Sequence, residues 1–347
     1  MLSRLTRTSL FLSALACLPA AAAHPTFTVH IVGAPGSWAT SINAAGTVVG
    51  NYPFSASVTH GFVNTGTSLA DLGTFGGETY ATDINDHGEI VGMSFDSAGQ
   101  RRAFLYKDGS MQDLGTLGGE QSSANAINNR GDIVGWAQLP HSEASEGRAF
   151  LLRRGSSMQD LGRFEVPDAE GDSGAYGINE RRQVVGGSAL GPYIPTETPY
   201  HAFVYACEEM RDLGTLGGTT STARAINALG QVVGDASTPD FRHNRAFLFY
   251  RGTLHNLGTL KDGDYSAATD INDHGQVVGT ALGTTGSTAW ERGFLYQDGS
   301  MRSLTSLLAP GSGWTISGAA GINASGQIAG TGCKAGVCYA LRLDPLP

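Results

Sequence analysis

The sequence predicts an all-β fold, a seven-bladed β-propeller of four-stranded blades, and three observations predict it. One short motif recurs along the chain. Each copy sits in a unit of about 45 residues that carries four short strand signals, the signature of propeller blades. The chain also has a surplus strand at its start and a missing one at its end, as a closed ring requires.

The motif is an Asn after Ile, a short turn, and a Val-Gly or Ala-Gly pair. It reads "SINAAGTVVG", "DINDHGEIVG", "AINNRGDIVG", "GINERRQVVG", "AINALGQVVG", "DINDHGQVVG" and "GINASGQIAG". Its anchors are Asn43, Asn85, Asn128, Asn179, Asn227, Asn272 and Asn323, separated by 42, 43, 51, 48, 45 and 51 residues. Seven units fill the chain after its leader and leave no span for a second domain.

Taken in order, the first element is the leader, residues 1–23. Arg4 and Arg7 precede an apolar run from Leu10 to Leu18 and an Ala-rich end, the pattern of a cleavable secretory signal peptide, with cleavage expected after Ala23. The apolar run is too short to span a membrane, and the residues before Cys17 fit a lipid-attachment pattern poorly. Residues 24–347 are then one propeller domain. "FTVHIVG" at 27–33 is the unpaired strand that precedes the first unit. The second unit shows the plan, with strands "YATDIN", "EIVGMSF", "RAFLY" and "MQDLGTL". Gly46, Gly88, Gly131, Gly230, Gly275 and Gly326 supply the positive φ of the tight first turn, and Arg182 stands there in the fourth unit. The last unit ends after three strands, so the N-terminal strand is expected to complete the last blade. A β-solenoid would need capping units, and none is legible.

"DLGTLGG" begins at Asp113 and Asp212, with "DLGTFGG" at Asp71. Leu114 and Leu117 are expected to pack the outer strand on its own blade, while Gly118 and Gly119 turn the chain back toward the axis. No basic residue or helix start follows, so the glycines are not a phosphate cradle. "HAFVY" at His201, the related "RAFLY", "RAFLL" and "RAFLF", and the two motifs above resemble the HAF-repeat family of bacterial extracellular proteins over residues 27–343. That resemblance implies a secreted or surface repeat protein and carries no catalytic residues with it.

Composition narrows the function. The net charge is −9, and loss of Arg4 and Arg7 with the leader makes the chain more acidic still. Nucleic-acid binding is disfavoured because it rests on clustered Lys and Arg, and membrane insertion is not expected. Cys333 and Cys338 lie in one predicted hairpin and are expected to form a disulfide in an oxidising compartment, which leaves Cys207 unpaired. Localisation is expected to be extracellular or periplasmic.

The long, irregular loops between second and third strands mark one face for recognition. Near its mouth the sequence places Trp38, Tyr80, Tyr176, Arg224, Tyr265 and Trp314, candidates for holding a sugar or a peptide side chain. A ring of basic residues before each Ala-Phe or Gly-Phe pair (His60, Arg102, Arg148, His201, Arg245, Arg292) is read as structural, and Tyr339 takes the seventh place. "GDSGA" at 171–175 mimics a protease nucleophile segment, but the repeat puts Ser173 at a blade junction. Asp168, Glu170 and Asp172 alternate like the start of a calcium loop without its distal Glu. His24 would be an N-terminal residue with chelating groups, incidental beside Pro25. No cofactor and no metal site is assigned.

The expected function is therefore a secreted, non-catalytic binding propeller for carbohydrate or a surface protein. One alternative is an extracellular polysaccharide hydrolase or lyase using dispersed residues among Asp83, Asp270, Glu291, Tyr176, Arg224 and His243. The other is a structural envelope or matrix component. Oligomeric state is not legible.

Overall fold

A computed structural model of the chain describes residues 26–346 apart from 67, 141–146, 166–170, 192–198 and 241–242. The leader, His24 and the pair Asp168 and Glu170 lie outside the described residues. Seven four-stranded antiparallel sheets make seven blades, and a single 3-10 turn, Leu304–Leu307, is the only helical element among the described residues. In blade 2 the strands are Gly76–Ile84, Ile90–Asp96, Arg101–Lys107 and Ser110–Asp113. Blade 7 contributes Trp314–Ile322, Ile328–Lys334 and Val337–Pro345, and the N-terminal strand Phe27–Ile31 is its fourth. Phe27 pairs with Pro345 and Ile31 with Leu341, which closes the ring as the strand count predicts.

The core lies between blades, not within one. Each seam holds one apolar cluster, and the Phe of an Ala-Phe or Gly-Phe pair fills six of the seven. Phe62, Phe104, Phe150, Phe203, Phe247 and Phe294 are all fully buried. At the seam between blades 2 and 3, Val91 and Ala103 meet Ile127, Ile133 and Phe150, with Leu114 and Leu117 packed alongside. Leu114 and Leu117, just past the outer strand, thus pack in the gap between their own blade and the next. The Gly of "VVG" is set by close approach. A Cβ on Gly135 would fall 2.0 Å from the Ser123 carbonyl oxygen, where the first strand bulges.

Polar groups repeat with the same regularity. The buried Ser122 hydroxyl accepts from Ala103 N–H and donates to the Gly115 carbonyl, so it clasps blade 3 to blade 2. Ser173, Ser221 and Ser266 repeat the clasp. Ser173 of "GDSGA" is therefore a fully buried joint, not a nucleophile. The Asp of "DLG" takes the N–H two residues on, as Asp113 does from Gly115, which fixes the turn by an Asx-type bond.

The Asn anchors form a closed annulus. Each Nδ2 donates to the main-chain carbonyl of the next Asn, from Asn43 to Asn85 and onward to Asn272 and Asn323. Asn323 then donates to Asn43, completing the circle. The second proton of Asn85, Asn128 and Asn179 goes to Glu89, Asp132 and Gln183. Arg182 does adopt positive φ, 60°, and its Nε donates to Asp132 at 2.8 Å. Cys333 and Cys338 are paired directly across their hairpin and joined as a disulfide, which fits a non-reducing compartment. Cys207 is a free, exposed thiol. No described helix is long and apolar enough to cross a membrane.

Candidate functional site

The first strands of the blades line the axial channel, and their ends decide what it can do. One layer of it consists of Ser41, Asp83, Ala126, Gly177, Ala225, Asp270 and Gly321, by register. Five members of that layer are small and uncharged, and two are carboxylates. Asp83 accepts from the Ser41 hydroxyl at 2.7 Å and from the N–H groups of Ile84 and Ile127 at 2.9 Å. Asp270 accepts from Ile271 and Ile322 N–H, each at 2.8 Å. Both side chains are enclosed by protein yet keep accessible surface in the channel.

Burial raises the pKa of both acids. Asp270 is pushed up to about 6, by burial first and also by the charge of Asp83. Asp83 has the extra donor, Ser41, and is the better stabilised anion. At acid pH below about 6 Asp270 therefore holds its proton.

This has a sign for stability. Asp270 binds its proton more tightly folded than unfolded, so it favours the folded state at low pH. That contribution is lost as pH rises from the ordinary value of 3.8 through about 6. Asp270→Asn is expected to gain on the parent chain by on the order of 2 kcal/mol between pH 4 and pH 8. Urea melts at the two pH values measure it, and a constant difference between the chains would refute the assignment.

Above the carboxylates, most polar side chains are spent on holding the ring. Thr40, Thr82 and Thr269 donate to carbonyls of the next blade, and so does Asn125. Tyr176 and Arg224 occupy equivalent places and face the channel instead. Burial weakens the Arg224 charge, but the Asp235 carboxylate 2.9 Å from its Nε overrides this and raises its pKa. Tyr265 stands beside Arg224, its own pKa raised by burial. The structure thus brings Tyr176, Arg224 and Tyr265 together at the mouth. Trp38, Tyr80 and Trp314 line neither the throat nor the recess above it. Trp314 packs edge-on against Tyr339. Of the dispersed acids and bases, Asp83 and Asp270 meet, whereas His243 pairs with Asp240 in its own loop and Glu291 lies outward on blade 6.

The basic ring is tied down. His60 and His201 bond Asp71 and Asp212 at 2.7 and 2.8 Å, Arg102 pairs with Asp96, and Arg148 and Arg245 donate to the Gly171 and Asp264 carbonyls. On the opposite face a recess at Glu89 is neutralised internally. Burial opposes the Glu89 charge, but Arg154, Asn85 and Lys107 hold its pKa down to about 2. Among the described residues no cluster of three or more His, Cys, Asp or Glu is arranged to hold a metal.

Beside the mouth, Arg101, Trp136, Asn125, Asp172 and Tyr176 enclose a recess of about 410 Å³. Sequence reasoning missed Arg101 and Trp136. The available signals were the Arg doublet before Ala103 and a Trp where the other blades carry smaller or polar residues.

No protein-family model matches the sequence, and no curated protein matches it. Among solved structures the chain is similar to a puromycin-hydrolyzing peptidase of Mycobacterium tuberculosis, with a TM-score of 0.53 and 11% identity over 89% of this chain and 53% of that one. It is also similar to a puromycin hydrolase solved as a mutant in complex with PGG, with a TM-score of 0.54 and 13% identity over 87% and 50%. The chain spans about half the length of these structures, and the likeness shows the fold. The expected non-catalytic function in binding carbohydrate or a surface protein is corrected here. The two similar structures just described are named as a puromycin-hydrolyzing peptidase and a puromycin hydrolase.

Proposed function

We propose that this chain is an exported hydrolase that cleaves short amide-linked substrates in the throat of its channel. The observation that carries the reading is the pair Asp83 and Asp270 lining one channel, with the Asp270 pKa pushed up to about 6. Two carboxylates on one channel, one with its pKa pushed up to about 6, can serve as the acid and the base of a hydrolysis. The likeness to a puromycin-hydrolyzing peptidase and a puromycin hydrolase supports amides as the bond type. The leader and the resemblance to HAF-repeat proteins support export.

In this mechanism Asp83 takes a proton from water as the water oxygen bonds to the amide carbon. Asp270 gives its proton to the departing nitrogen as the carbon–nitrogen bond breaks. Arg224, oriented by Asp235, and Tyr176 face the carbonyl oxygen and stabilise its developing charge. The throat is small, about 170 Å³, which restricts the scissile end of the substrate.

Puromycin and a panel of aminoacyl-coumarin amides are the first substrates to test. Turnover is expected on the acid side, falling above about pH 6 as Asp270 loses its proton. Asp270→Asn is expected to lower kcat by roughly 100-fold or more, with an unchanged circular dichroism spectrum. Absence of turnover across the panel, or full activity in the folded variant, would reject the proposal.

A further inference from the structure

The recess beside the mouth contains a cation without an acidic partner. Arg102, Arg154, Arg182 and Arg224 each pair with a carboxylate, but no ion pair to Arg101 occurs among the described residues. Its guanidinium lies over the Trp136 ring, 4.6 Å from the centroid. Its Nε is buried with no hydrogen-bond partner, and burial lowers its pKa. A guanidinium that lines an open recess with no ion pair among the described residues leaves that recess suited to an anionic ligand.

The platform under this guanidinium is built for it. Gly147 lets the indole lie close, since a Cβ there would fall 2.2 Å from the ring. Both Trp136 and the guanidinium stacked on it line the recess, and a planar guanidinium suits the two oxygens of a carboxylate. Asn125 spends its amide nitrogen on the Ala175 carbonyl, and the Tyr176 hydroxyl lines the same recess. Asp172 also lines the recess, and Asp83 and Asp270 line the adjoining throat, so a ligand of one negative charge is favoured over one of two.

We infer that Arg101 on Trp136 forms a subsite for the free carboxylate of a short peptide-like ligand, seated beside the channel mouth. That this ligand is also the substrate rests on the hydrolase reading; the binding itself does not. The recess spans blades 2, 3 and 4 and adjoins the throat through Asn125 and Tyr176. A chain held by its carboxylate end is thereby positioned to extend toward Asp83 and Asp270.

The test is isothermal titration of the full chain with acetyl-trialanine as the free acid, the same peptide as its amide, and inorganic phosphate. The free acid is expected to bind at least about tenfold more tightly than the amide, and phosphate more weakly than the acid. Arg101→Gln is expected to bring the acid down to the level of the amide. Equal binding of acid and amide, no binding of either, or preference for phosphate would overturn the subsite, and these comparisons need no variant. Acid-selective binding without turnover would remove the hydrolase reading and leave the subsite standing. Turnover without acid selectivity would do the reverse.

Discussion

A chain that begins at residue 34 is expected to lose its cooperative unfolding transition at the temperature where the chain beginning at residue 24 still shows one. The strand Phe27–Ile31 contributes a five-residue ladder to Val337–Pro345. It also carries Phe27 into the cluster with Leu307 and Leu308, and leads into Val32 at the seam with Ala39 and Phe62. Each of these two buried apolar side chains is worth roughly 2–5 kcal/mol when truncated. Removal also exposes the edge of Val337–Pro345, a template for association. A fall in melting temperature of roughly 10 °C or more, with aggregation, is therefore expected. Adding residues 24–36 as a synthetic peptide should restore part of it. Identical melting curves for the two chains would show that closure contributes nothing.

The second large effect is expected at Asn128. This side chain is 4% exposed and makes four bonds. Its oxygen takes the N–H groups of Arg130 and Asp132, and its nitrogen reaches the Asn179 carbonyl and the Asp132 carboxylate. Asn128→Ala strands all four partners and is expected to cost roughly 2–4 kcal/mol. Asn128→Asp keeps the shape but sets a carboxylate against Asp132 and a carbonyl. Repulsion raises its folded pKa, so the variant should lose further stability as pH rises from 4 to 8. Denaturant midpoints at the two pH values decide the matter. An Ala variant within 0.5 kcal/mol of the parent, roughly the scale of an ordinary surface change, would remove the annulus from the stability argument.

Repetition made the architecture legible. The Asn anchors recur at separations of 42, 43 and 51, and those same separations are spanned by the annulus bonds from Asn43, Asn85 and Asn128. Blade count, strand count and closure follow from such spacing because each blade repeats one solution to the same packing problem. What repetition hides is direction. Leu114 and Leu117 follow the outer strand in the repeat, but only the seam shows that they reach the neighbouring blade as well as their own. The site is the part that breaks the repeat. Asp83 and Asp270 stand where five other blades have small residues, and their proximity arises only when the ring closes. Arg101 neighbours the repeat residue Arg102, and Trp136 takes a position held elsewhere by Met93, Asp235 and Thr280, so neither carries a motif of its own.

The closed annulus also sets a timescale. Six of its bonds join residues about fifty or fewer positions apart, but the seventh joins Asn323 to Asn43 across 280 positions. Contacts so distant along the chain pay their loop entropy before they return anything, and they form late. Blades formed early must wait with one face uncovered until the last arrives. The same bond that makes the ring seamless in the native state makes the intermediate before it the slowest and most adhesive species on the way there.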